Sequence, residues 1–285
     1  MTERTGVNSD RDPGVTDAQR QTYATTGWIV VEDVFDADEV AVLERAALEV
    51  VDRDGPEVAR ESDGSPHVSW GMHLFDERLA ALTRHPRLVD TAVDLLGSDV
   101  YIHQSRINLK QTNGSIVEWH QDFGTYHRVD GLPEPRGIMI AVFLDDISAI
   151  NAPLLAVPGS QAEGLVSTAR IDPSVPDHEH VARYRYDITP DTMRDLVGRY
   201  GLESIEARAG SVVFMDMTVV HGSSVNISPL RRLILYVNVA PVDNRGESYA
   251  RPEYYAARDF SPLRADDDDC VRRFAAISAP AMPDP

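Results

Sequence analysis

V-Y-I-H-Q-S-R-I-N-L-K, residues 100–110, marks the point where the texture of this chain changes. From here strand-like runs follow one another at 100–110, 117–123, 137–145, 153–157, 211–220 and 232–240. Turn residues separate them: Asn113-Gly114, Asp130-Gly131, Pro158-Gly159 and Ala209-Gly210. Many short strands joined by turn chemistry indicate a sandwich or barrel. A helical insert is expected at about 190–199, between the last two groups.

Upstream the periodicity is helical. Thr16 is placed to cap a short helix that ends near Gly27, and Trp28–Val34 reads as a strand. Asp36 opens the clearest helix, with Glu39 three residues on as in a capping box. Val40, Leu43, Ala46, Ala47 and Val50 then recur at helical spacing, and the helix should stop by Gly55. The polar stretch Pro56 to Pro66 is expected as a mobile loop. Two short helices should follow at 76–83 and 86–96, with Pro86 in a first turn and Gly97 at a C-cap. Helices first and strands later give the expected class: mainly β, with helices packed outside a β-sandwich. Residues 1–14 and 276–285 read as flexible arms around one domain at 15–275, helical over 15–98 and β-rich over 99–245.

The chain has 285 residues, 42% of them hydrophobic, enough for one large core. Its formal net charge of -19 would repel a phosphate backbone or an anionic bilayer, so neither nucleic acid nor membrane is an expected partner. No apolar run approaches the roughly 18 residues of a membrane span, and a cytoplasmic protein is expected. Cys270, the single cysteine, follows the acidic run Asp266–Asp269, which should raise its pKa. Lys110 is the single lysine in a chain whose other basic residues are all arginine.

The chemistry lies in V-E-W-H-Q-D-F, residues 117–123. On a strand, His120 and Asp122 would share one face. A third ligand from a distant strand would complete a two-histidine, one-carboxylate facial triad that leaves positions open for substrates. That donor set suits iron(II), whereas a closed four-ligand set would suit structural zinc. His221 fits best, at the end of V-V-F-M-D-M-T-V-V-H. Arg232 follows, on the same strand parity as Tyr236, and its planar fork matches a carboxylate. Arg231 has the opposite parity and is expected in solvent.

At these residues the chain resembles the phytanoyl-CoA dioxygenase superfamily, and within it the ectoine hydroxylases and bacterial proline 4-hydroxylases. The likeness covers roughly residues 20–262. It is carried by 100–110, by W-H-Q-D-F-G-T-Y-H-R-V-D-G-L-P (119–133), by H-G-S-S-V-N-I-S-P-L-R-R (221–232) and by R-P-E-Y-Y-A-A-R-D (251–259). The resemblance implies a double-stranded β-helix, a cupin-like jelly roll, over 99–245. It implies an enzyme that uses iron(II), 2-oxoglutarate and O2 to hydroxylate an unactivated C–H bond of a small, amino-acid-like substrate. His120, Asp122 and His221 match the family's iron ligands. Lys110, Arg232, Ser223 and Asn108 match positions that hold 2-oxoglutarate. Gln104, Arg106, Thr125, Tyr126, Met215 and Tyr236 fall at the substrate pocket.

Gln104, Arg106, Asn108 and Lys110 alternate on one strand face, which periodicity alone would place in solvent. The resemblance turns that face into the pocket, and polar small molecules need a polar lining. Ectoine hydroxylases carry Glu and Trp at the positions of Gly124 and Tyr126, and an aromatic residue at that of Met215, so ectoine is not the expected substrate. The retained Asp122 argues against a halogenase. Two alternatives stay open at this stage. One is a tailoring oxygenase acting on a larger or carrier-bound intermediate. The other is a non-catalytic metal-containing jelly-roll binding protein. A homodimer is compatible with the sequence.

Overall fold

The structure is a computed structural model that describes residues 14–171, 184–248 and 250–275. The arms expected at 1–14 and 276–285 therefore lie outside the described residues, Gly14 excepted.

The helices expected from capping are present. Helix α1 (Asp17–Thr26) starts at Thr16, which forms a capping box with Gln19, and ends at Gly27 with φ of 92°. Helix α2 (Ala37–Val51) starts at the Asp36/Glu39 box and buries Val42, Leu43, Ala46, Ala47, Val50 and Val51. Two short helices, α3 (Met72–Phe75) and α4 (Glu77–Thr83), precede α5 (Pro86–Leu96). Helix α5 has Pro86 in its first turn and ends at Gly97, which has φ of 64°.

Thirteen strands are described: β1 (Trp28–Val31), β2 (Val58–Arg60), β3 (Pro66–Trp70), β4 (Val100–Lys110), β5 (Val117–His120), β6 (Ile138–Phe143), β7 (Leu154–Ala156), β8 (Thr168–Ile171), β9 (Tyr184–Asp187), β10 (Glu203–Ile205), β11 (Val212–Asp216), β12 (His221–Ser223) and β13 (Arg232–Pro241). They form a seven-stranded sheet ordered β1-β11-β6-β13-β4-β3-β2, a four-stranded sheet ordered β10-β7-β12-β5 and a separate β8-β9 pair. All the paired strands run antiparallel. The expected jelly roll with flanking helices is what the chain forms.

Strand parity divides the large sheet cleanly. Ile138, Ile140, Val142, Leu233 and Leu235 pack on one side with the α2, α4 and α5 residues Leu43, Leu82 and Leu88. Met139, Ala141, Phe143, Ile234 and Tyr236 form the opposite face, against Leu154, Ala156 and Ile205 of the small sheet. Ile107 and Leu109 face the helices, so Asn108 and Lys110 face the space between the sheets.

Four sequence expectations are corrected. The stretch 56–66 is not a bare loop but carries the β2–β3 hairpin, whose Glu61 accepts from Ser115 N at 2.7 Å. The expected strand 117–123 stops at His120, and 122–130 forms a further helix, α6 (Asp122–Asp130). The cause is Gln121. Its Nε2 donates to Gly164 O and Thr218 O, both at 2.7 Å, and its Oε1 accepts from Val166 N at 2.9 Å, which draws the chain off the ladder. The expected strand 211–220 is interrupted, because Asp216 Oδ1 accepts from Thr218 N at 2.8 Å and Thr218 Oγ1 at 2.5 Å. That turn moves the chain from the large sheet to the small one, so His221 begins a new strand. Arg231 points away from the space between the sheets but is not free in solvent. It pairs with Asp145 at 2.6 Å and Glu44 at 2.5 Å, tying β13 to α2. The insert at 190–199 is present as α7 (Pro190–Tyr200).

Candidate active site

His120 is the last residue of β5 and His221 the first of β12, and the two are direct cross-strand partners. Their ring centroids lie 4.2 Å apart. Gly222 permits this pairing: a Cβ there would stand 2.9 Å from Val117 O. Asp122, in the first turn of α6, completes the group, and one ligand atom from each of the three lies within 4.8 Å of the others.

Each histidine has its tautomer set by a backbone carbonyl. His120 Nδ1 lies 2.8 Å from Glu118 O, and His221 Nδ1 lies 3.0 Å from Val219 O. Both Nδ1 atoms must donate there, which leaves both Nε2 lone pairs bare for a metal. Burial, then the neighbouring His120, lowers His221 to a pKa of about 4, so it is neutral and able to ligate near pH 7. Burial of Asp122 favours its neutral form, but Arg106 and the two imidazoles outweigh this and hold the carboxyl well below the usual range. Asn238 Nδ2 donates to Asp122 Oδ2 at 2.8 Å, which leaves Oδ1 turned toward His120 Nε2 at 3.6 Å. Two imidazole nitrogens and one carboxylate oxygen, clustered with both Nε2 atoms free, fit a facially held iron(II).

Beside the triad lies a cavity of about 190 Å³, lined among others by His67, Trp70, Arg106, Asn108, Arg232 and Tyr236. One end is cationic. Arg232 is 1% exposed; its guanidinium donates to Ala152 O and Asn108 Oδ1, and its Nε has no partner. Lys110 lies behind the lining, its Nζ donating to Ser223 Oγ, which does line the cavity, and to Ser224 O, both at 2.8 Å. Burial and the Arg232 charge lower the Lys110 pKa to about 7. Neither cation forms an ion pair with a described residue. Two buried cations without a counter-charge form a receptor for an anion.

Of the residues expected at the substrate, Arg106 and Tyr236 line the other end, and Gln104, Thr125 and Tyr126 lie outside the lining. Arg106 lies over the Tyr236 ring at 4.5 Å and donates to Gln104 Oε1 at 2.9 Å. Gln104 Oε1 also accepts from Tyr126 Oη at 3.2 Å, and its Nε2 donates to Tyr255 O at 2.7 Å. Gln104 is thus committed to protein partners, with one amide N–H left to offer. Thr125 is half-buried on α6. Met215 packs between Trp28 and Met139 of the large sheet, in the inter-sheet core, and does not line the cavity. Sequence reasoning missed His67, Trp70 and Asn238. The first two sit on the unexpected hairpin. Asn238 carried a usable signal: it shares strand parity with Arg232 and Tyr236.

The family model described as phytanoyl-CoA dioxygenase (PhyH) matches residues 23–234. An L-proline trans-4-hydroxylase from Streptomyces griseoviridis is 34% identical over 254 residues, 87% of this chain and 94% of that protein. An ectoine dioxygenase from Bordetella bronchiseptica is 36% identical over 245 residues, 83% of this chain and 78% of that protein. EctD from S. alaskensis, solved with 2-oxoglutarate and 5-hydroxyectoine, superimposes with a TM-score of 0.77 at 29% identity, covering 92% of this chain and 90% of that one. The same protein solved with bound Fe gives 0.74 at 31% identity.

Proposed function

This chain belongs to the phytanoyl-CoA dioxygenase family, and we propose that it is an iron(II)- and 2-oxoglutarate-dependent dioxygenase that hydroxylates an unactivated C–H bond of a small amino-acid-like molecule. One observation carries the reading: a His120/Asp122/His221 cluster with both Nε2 atoms free borders a cavity lined by the buried Arg232, with the buried Lys110 behind it on Ser223, and neither cation has an ion-pair partner among the described residues.

His120, Asp122 and His221 hold the iron. Arg232 and Lys110, with Ser223 and Asn108, hold the distal carboxylate of 2-oxoglutarate. When bound, the iron supplies the oxidising power that couples decarboxylation of 2-oxoglutarate to succinate with hydroxylation of the substrate by O2. The protein orients and excludes water. Asn238 fixes which oxygen of Asp122 faces the metal, and Trp70 and Tyr236 wall the cavity.

Among the described residues no helix is long and apolar enough to cross a membrane. The chain's one thiol, Cys270, is buried, and burial with Asp266 pushes its pKa up to about 11.

The test is turnover with iron(II), 2-oxoglutarate and O2 against a panel of cyclic and aliphatic amino acids, reading succinate and the added oxygen by mass spectrometry. Proline or a related amino acid should outperform ectoine, because Tyr126 and Gly124 depart from the ectoine hydroxylase pattern. His120→Ala and Asp122→Ala should abolish iron binding and turnover. Near-normal succinate from either variant would overturn the ligand assignment, and efficient ectoine turnover would overturn the substrate reading.

A further inference from the structure

We infer that Arg106 anchors a carboxylate of the substrate, so that the molecule is held by an anionic head with its carbon skeleton toward the triad. This rests on the dioxygenase reading above and specifies the substrate class.

The guanidinium is fixed before any ligand arrives. It lies on the face of Tyr236 at 4.5 Å, and Gln104 Oε1 holds Nη1 at 2.9 Å. Gln104 is itself clamped by Tyr126 Oη and Tyr255 O. Nη2 donates to Met139 Sδ at 3.9 Å, a weak acceptor. The closest ion-pair partner, Asp122 Oδ1, stands 3.9 Å from Nη1, beyond hydrogen-bond reach. Arg106 lines the cavity together with Trp70, His120 and His221.

Charge decides the rest. In the empty site Asp122 accounts for Arg106. In the loaded site it does not. A divalent metal is neutralised by Asp122 and the chelating carboxylate of 2-oxoglutarate. The distal carboxylate is met by Arg232, with Lys110 beside it. The charge of Arg106, whose side chain is only 17% exposed, is then left without a partner, which is costly. A substrate carboxylate removes that cost, and the guanidinium's free N–H groups suit its two oxygens.

The test is anaerobic calorimetry on the iron(II)- and 2-oxoglutarate-loaded protein, a readout of binding and not of turnover. The probes are cyclic and aliphatic amino acids, each paired with its primary amide, beginning with L-proline and L-prolinamide. At least one acid should bind on the order of 100-fold more tightly than its amide. Arg106→Gln should erase that preference, and Arg106→Lys should keep part of it. Both variants should retain the wild-type 2-oxoglutarate affinity, measured at matched iron loading. Acids that bind no better than their amides would overturn the proposal, as would an Arg106→Gln variant that loses 2-oxoglutarate affinity as much as acid affinity. If wild-type protein bound neither iron nor 2-oxoglutarate, the dioxygenase reading would fall instead, and the two failures are distinguishable on that ground.

Discussion

Lys110 gives the sharpest test of the cosubstrate end. Its side chain is fully buried, donates to Ser223 and Ser224, and shares its recess with Arg232. Burial first, and the Arg232 charge second, bring its pKa from 10.5 to about 7. In the apoprotein, the unfolded chain therefore binds one more proton than the folded chain between these two values. The penalty for burying the ammonium is fully present below pH 7 and is relieved as pH rises through the window, so wild-type stability should climb there relative to Lys110→Met. The gap between the two pKa values corresponds to at most about 5 kcal/mol. Cosubstrate binding should show the opposite dependence, because only the protonated amine meets the distal carboxylate. The 2-oxoglutarate Kd should be flat below pH 7 and rise about tenfold per pH unit above it, until binding to the neutral amine takes over. Lys110→Met should flatten this profile. On its acid side the variant should lose affinity by tens-fold or more, since a desolvated charge pair is worth about 2–5 kcal/mol. Anaerobic titration of the iron-loaded protein across the window, with melts of the apoprotein in the same buffers, measures both. A pH-independent wild-type Kd, or a Lys110→Met profile with the wild-type slope, would refute the reasoning.

Three further outcomes follow from the contacts. Arg232→Leu should raise the KM for 2-oxoglutarate by roughly tens- to a thousand-fold, whereas Arg231→Leu should leave that KM alone and lower the melting temperature, because Arg231 joins Asp145 and Glu44; reversed effects would show that the strand parity is wrong. Asn238→Leu should weaken iron(II) binding about 10- to 100-fold in a chelator competition, with 2-oxoglutarate affinity preserved, and an unchanged iron affinity would remove Asn238 from the ligand's support. Arg251→Met breaks a buried pair with Asp130, which also binds His103; it should cost about 3–5 kcal/mol in denaturant unfolding, and a loss well under 1 kcal/mol would mean that water reaches Asp130.

Much of the fold was legible because its signals are local. The Thr16 cap, the Asp36/Glu39 box, Pro86 and Gly97 each act within one turn of their own helix, and all appear where the sequence placed them. The continuous apolar run of 138–143 and the largely apolar run of 232–241 are equally local signals. Periodicity was ambiguous on β4, where it separates a polar face from an apolar one but does not say whether the polar face meets water or a cavity. Gln104, Asn108 and Lys110 are all buried there. The hairpin at 58–70 was illegible for a different reason: its strands are short and polar, and Glu61 reaches across to Ser115, far along the chain.

The same distinction explains the most consequential miss. Read as one strand, 117–123 would place His120 and Asp122 on a common face about 6.7 Å apart along the backbone. The chain instead leaves the sheet at Gln121, whose carboxamide takes up backbone groups of Gly164, Val166 and Thr218. The first turn of α6 then directs Asp122 back toward Asn238 on β13. The large sheet thereby supports the carboxylate, while the small sheet supplies both imidazoles. On the His221 side, the Asp216–Thr218 turn makes the matching transfer between sheets. The departure at Gln121 depends on contacts between segments distant in sequence, which no window of seven residues contains, whereas the Asp216–Thr218 turn is local and was hidden by the apolar residues around it. The triad is therefore assembled where two sheets are joined by broken strands, and its geometry should be sensitive to Gln121 even though Gln121 touches none of the three ligands through its side chain.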